Sequence, residues 1–121
     1  GRPLVATWTL TIRANARVER RRFDTLERAL AELEARVDEL AGRAKENPAG
    51  TRLRQYGPEQ QVVARIELAG PERRLAGTRA GIDVHGDGST EAYLGRVRRQ
   101  TVDASKGEPA VKALRRVLQD R

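Results

Sequence analysis

Leu26, Leu30, Leu33, Val37, Leu40 and Ala44 recur at spacings of four, three, four, three and four residues, and a helix sets such a series along one stripe. An amphipathic helix over 24–46 must cover an apolar surface, and the rest of the chain has to supply it. Asp24 suits the N-cap, with Glu27 completing an Asp variant of the capping box, while Asn47, Pro48 and Gly50 provide the stop. Asp24–Arg28, Glu32–Arg36 and Glu39–Arg43 stand at i, i+4 with the acid first, which predicts a solvated outer stripe laced with ion pairs.

The surface under that helix reads as a sheet. Val5 to Arg13 alternates, with Trp8, Leu10 and Ile12 on one side and Thr7, Thr9, Thr11 and Arg13 on the other, the pattern of a half-buried strand. After a turn at Ala14-Asn15-Ala16, Arg17 to Arg22 returns with Val18 as its one apolar side chain. It therefore reads as an edge strand guarded by charge, and Phe23 leads into the helix. Pro48, Gly50, Gly57 and Pro58 frame a connection in which Thr51 to Tyr56 is a candidate short strand. Gln61 to Leu68 alternates again, with Val62, Ala64, Ile66 and Leu68 inward and Val63, Arg65 and Glu67 away. Gly70-Pro71-Glu72 turns it into a run from Arg74 to His85 with Ala76, Ala80, Ile82 and Val84 on one parity.

The next turn decides a register. A three-residue loop with Gly88 left-handed pairs Val84 with Thr90, Ile82 with Ala92 and Ala80 with Leu94, apolar on apolar. A two-residue Asp87-Gly88 turn throws Ala92 and Leu94 to the other face, so the longer loop is expected. The apolar parity slips after Leu94 to Val97, which predicts a bulge at Gly95. A final helix runs from Pro109 to about Asp120, with Ala110, Val111, Leu114, Val117 and Leu118 on one face and Lys112, Arg115 and Arg116 opposite. The order β-β-α-β-β-β-α predicts an α+β fold, a single domain over residues 1–121 with an antiparallel sheet, both helices on one face and the other face open.

A chain of 121 residues can remove roughly two thirds of its unfolded surface from water, so one core suffices. No apolar run approaches the roughly 18 residues that span a bilayer and no signal-peptide pattern opens the chain, which predicts a cytoplasmic protein with no membrane partner. Zero Cys removes disulfides and thiolate metal sites. The formal charge of +7 and a pI near 10.9 point to a polyanion, although 21 Arg against three Lys is also what GC-rich coding produces. Residues 24–46 hold seven acids and four bases against 10 acids and 20 bases elsewhere, so the basic excess lies outside the long helix.

Arg17, Arg20, Arg21 and Arg22 form the densest basic cluster and Arg96, Arg98 and Arg99 a second, and guanidinium forks suit phosphate oxygens. On an edge strand the same charges also deter aggregation. The hairpin-then-helix order with Trp8, Leu10 and Ile12, the Arg20–Arg22 run and Phe23-Asp24-Thr25 resembles the arm-DNA-binding domains of tyrosine recombinases over about the first third of the chain. That resemblance implies a small sheet laid into the major groove. Trp8 and Phe23 belong to the core pattern, whereas Tyr93 falls on the outward parity near Arg79, Asp83 and His85 and is the aromatic expected as a surface contact.

Asp83, His85 and Asp87 are spaced by two and share a strand face, the arrangement of a weak metal site. Turn chemistry already accounts for Gly86 and Asp87, and a single His on a strand face is ordinarily solvated. Gly86-x-Gly88-Ser89-Thr90 leads into a strand where a phosphate loop needs a helix N-terminus. No nucleophile–base pair or pocketed carboxylate pair stands out, so no catalytic residue, metal ligand or cofactor is assigned and the chain is not expected to be an enzyme. Two functions remain. One is a basic module that binds DNA or RNA non-specifically through Arg–phosphate contacts at Arg17, Arg20, Arg21, Arg22, Arg96, Arg98 and Arg99, with Tyr93 alongside. The other is a protein-interaction or homo-oligomeric module that uses the uncovered sheet face or an edge.

Overall fold

A computed structural model describes residues 7–46, 61–71, 79–95 and 100–119. Six strands, β1 (Trp8–Ala14), β2 (Arg17–Phe23), β3 (Val62–Ala69), β4 (Arg79–His85), β5 (Thr90–Leu94) and β6 (Gln100–Thr101), form one antiparallel sheet in the order β2-β1-β3-β4-β5-β6. Helices α1 (Leu26–Glu46) and α2 (Ala110–Gln119) follow β2 and β6. This is the α+β order the patterning predicts, with the two-residue strand β6 added before α2 and the charged strand β2 at an edge. The expectations for Val5, for the stop at 47–50, for a strand at 51–56, for 72–78 and for Val97 lie outside the described residues.

The register brings the apolar positions into rows across the sheet. Leu10, Leu68, Ala80 and Leu94 make one row and Ile12, Ile66, Ile82 and Ala92 the next. These rows share one cluster with Leu30, Leu33, Val37 and Leu40 of α1 and with Val111, Leu114 and Leu118 of α2. Each fully buried Leu or Ile there is worth about 1.5–3 kcal/mol relative to exposure. No residue of the opposite parity joins that cluster, so the sheet has a core face and an outer face.

The β4–β5 loop has the three-residue form. His85 N–H donates to the Ser89 carbonyl at 2.8 Å, Gly88 N–H donates to the His85 carbonyl at 2.9 Å, and Gly88 sits at φ +88°. A Cβ on Gly88 would also lie 2.9 Å from the Ala41 carbonyl oxygen, so the loop rests against α1 where only glycine fits.

The parity slip past Leu94 involves Val97, outside the described residues, and the described part of the expected bulge is Gly95 alone, just past the end of β5. The Gly95 φ of +107° breaks the extended path, and its N–H donates to the Arg79 carbonyl at 2.9 Å. Beyond it the chain pairs back on β5, with Leu94 opposite Gln100 and Tyr93 opposite Thr101.

Two details of the helices differ from local expectation. The N-cap is Thr25, one residue later than Asp24: Arg28 N–H donates to Thr25 Oγ1 at 3.2 Å, while the Asp24 carboxylate lies 3.5 Å from the Arg28 guanidinium. Strand β2 runs through Phe23, so Asp24 is used in the turn and the residue next to Leu26 takes the cap. Glu39–Arg43 forms at 3.1 Å as expected, but Glu32 and Arg36 turn away from each other to β2. Arg21 Nη1 donates to Glu32 at 2.6 Å and Arg36 Nη1 to Glu19 at 3.1 Å. Arg115 and Lys112 of α2 are likewise drawn to Glu34 of α1, at 2.9 and 3.9 Å. Among the described residues no helix is long and apolar enough to cross a membrane.

Candidate nucleic-acid interface

Strand alternation splits the Arg17–Arg22 cluster between the two faces. Arg17 and Arg21 pair with Ala14 and Leu10 and share the helix side, where Arg21 is engaged by Glu32 and by Glu19. Arg20 and Arg22 stand opposite Thr11 and Thr9 on the outer face, exposed and without an ion pair among the described residues. Half of the cluster is therefore directed at one surface, and Arg21 is withdrawn from it by its parity and held on the helix side by Glu32. Arg96, Arg98 and Arg99 lie outside the described residues.

The outer face is ordered in rows as the core is. Val18, Arg13, Arg65, Asp83 and Glu91 form one row, and Arg20, Thr11, Glu67, Gly81 and Tyr93 the next. Arg22, Thr9, Ala69 and Arg79 form the third. Cross-strand pairs neutralise part of this charge. Arg65 Nε donates to Asp83 Oδ1 at 2.7 Å and Nη2 to Oδ2 at 3.4 Å. The hydrogen bond to Asp83 raises the Arg65 pKa against the opposing effect of burial. Arg13 Nε donates to Glu67 Oε1 at 2.8 Å.

Tyr93 has the outward parity expected of it but is not displayed. It is only 7% exposed, and its ring lies across Gly81 in the neighbouring strand. A Cβ on Gly81 would collide with the Tyr93 hydroxyl and Cζ and stand 2.9 Å from the Ile66 carbonyl oxygen. The aromatic fills the gap its glycine partner leaves in the sheet, which removes it as a stacking platform.

Next to Tyr93 the short side chains of Thr9, Thr11 and Ala69 leave a concavity of about 410 Å³, lined also by Arg13, Arg20, Glu67 and Arg79. Arg13 and Arg79 escape a search for basic clusters because each is the sole cation of that face in its strand. Parity assigns them to the outer face, but their proximity follows from β1 and β4 flanking β3, which is not local information.

The titratable residues around the β4–β5 loop are used separately. Asp83 is held by Arg65, and Asp87 accepts from the Ser89 hydroxyl at 2.6 Å and the Ser89 N–H at 2.9 Å, which lowers its pKa below the ordinary carboxylate range. His85 Nδ1 is buried and has no hydrogen-bond partner among the described residues. No group of three or more His, Cys, Asp and Glu residues among the described residues is placed to hold a metal ion. No protein-family model, curated protein or solved structure matches this chain.

Proposed function

We propose that this chain is a cytoplasmic, non-catalytic module that binds DNA or RNA through phosphate contacts on the outer face of its sheet. The observation that carries this reading is the pair Arg20 and Arg22, two exposed guanidinium groups on one strand that have no ion pair among the described residues, beside Arg13 and Arg79 across the same face. A guanidinium without a carboxylate partner keeps its donors for phosphate oxygens, and the net charge of +7 supports attraction of a polyanion. With Tyr93 folded onto Gly81, base stacking contributes little, so binding is non-specific.

Fluorescence anisotropy with a labelled duplex and a labelled single strand at two salt concentrations tests the proposal. Binding should weaken steeply with salt. The double substitution Arg20→Ala/Arg22→Ala should reduce the logarithmic salt slope by about two, one for each phosphate contact removed. Negligible binding at low salt, or affinity indifferent to salt, would overturn it.

A second reading has its own observation. Val18 is 52% exposed and Val62 and Val63 are each 38% exposed, around Arg13 at one end of the same sheet. An apolar patch of this kind suits a second copy of the chain or another protein. Light scattering across a concentration series decides the self-association version, which a strict monomer removes.

A further inference from the structure

Resting on the nucleic-acid reading, we propose that the outer-face concavity is a seat for one nucleotide phosphomonoester, and that it takes the phosphate group first. Its volume of about 410 Å³ falls at the lower end of the range of small-molecule pockets, too small for a length of duplex and sufficient for a phosphate with its sugar. Its floor is made by Thr9, Thr11 and Ala69, short side chains on adjacent strands β1 and β3. The two threonine hydroxyls are donors that need not be ionised to meet a phosphate oxygen.

Charge is arranged around that floor from three strands. Arg20 on β2 and Arg79 on β4 stand on either side of β1 and β3, about 14 Å apart at the backbone at ordinary strand spacing, and both line the concavity. Arg13 adds a third guanidinium, held in place by its Nε bond to Glu67 at 2.8 Å and still carrying its terminal N–H donors. Arg20, with no ion pair among the described residues, and the terminal donors of Arg13 suit the doubly charged, three-oxygen end of a phosphomonoester better than an internal phosphodiester. Tyr93 is packed on Gly81 and closes one wall, so the site recognises the phosphate and not the base.

The test uses the whole chain and adenosine 5′-monophosphate, with adenosine as the control, followed by 15N–1H chemical shifts and calorimetry. Adenosine monophosphate should bind with a dissociation constant at or below the millimolar range and shift the amides of β1 and β3, while adenosine should not bind. Ala69→Leu fills the floor without changing charge and should weaken monophosphate binding at least tenfold while leaving duplex binding within about threefold. If Ala69→Leu fails to fold, Thr11→Val, which removes a floor hydroxyl without changing charge, serves, with the same loss expected. Absence of monophosphate binding, or a full-affinity Ala69→Leu variant, overturns the seat. If salt-dependent duplex binding survives that failure, only the seat falls; if it does not, the nucleic-acid reading falls as well. Given monophosphate binding, tighter capture of a 5′-phosphorylated strand than of the same strand unphosphorylated places the seat at strand ends, and equal capture assigns it to free nucleotides.

Discussion

Asn15 and Ala16, in the turn between β1 and β2, both lie in the left-handed region, at φ 54° and 61°. Asn tolerates this conformation through its short polar side chain, but Ala carries a Cβ penalty of roughly 1–2 kcal/mol that Gly does not. Ala16→Gly should therefore stabilise the protein by about 0.5–1 kcal/mol after allowing for the freedom glycine gives the unfolded chain. Urea denaturation measures it, and an unchanged or lowered midpoint would contradict the argument. A second residue-scale expectation concerns acid. The Ser89 hydroxyl and then the Ser89 N–H hold the Asp87 pKa down, and Arg116 followed by the Ser105 N–H does the same for Glu108. A carboxylate depressed in the folded state contributes stability that is present above its unfolded pKa, about 4, and is lost as pH falls through the lower folded value. Carbon-detected carboxyl titration should place Asp87 below that reference, and Ser89→Ala should move it back up. Superimposable titration curves for the two proteins would refute the assignment.

At the scale of elements, β2 is fastened to α1 largely by charge, since its pattern is exposed throughout except for Phe23. The pairs Arg21–Glu32 and Glu19–Arg36 involve side chains between 23% and 50% exposed, so each is worth about 0.5–1 kcal/mol at most. Glu32→Ala/Arg36→Ala should therefore lower global stability only slightly, while amide hydrogen exchange accelerates in β2 and stays unchanged in β3 and β4. Uniform acceleration across the sheet would show that β2 is integral to the core. The same elements show what a sequence discloses. The β4–β5 register is legible because a one-residue slip reverses the face of Ala92 and Leu94, so the apolar pattern alone selects Val84↔Thr90. Glu32–Arg36 misleads because i, i+4 spacing proposes a partner without knowing that β2 offers better ones. The cap shifts from Asp24 to Thr25 because both residues suit the role and the end of β2 chooses between them. For the site, parity puts Arg20, Arg22 and Tyr93 on one face, but the burial of Tyr93 depends on Gly81 lying opposite it, a pairing implicit in the same register. Arg13 and Arg79 require the strand order, which no local pattern contains.

At the scale of the whole molecule, one cluster joins both helices to four strands, and no described element keeps a core of its own. Leu33 of α1 and Leu114 of α2 are 1% and 0% exposed within it, and Glu34 ties the two helices through Arg115 and Lys112. If α2 were an appendage, truncating Leu114 would melt that helix and leave the sheet intact. Shared packing predicts otherwise: Leu33→Ala and Leu114→Ala should each cost about 2–5 kcal/mol, and both should displace one common unfolding transition. Far-ultraviolet circular dichroism reports the helices, and Trp8, packed against the core from β1, reports the sheet. The two signals should unfold together in urea for the parent and for both variants. A Leu114→Ala protein whose helical signal falls at lower urea than its Trp8 fluorescence would instead divide the molecule, with α2 unfolding as a separate unit above a sheet that needs only α1.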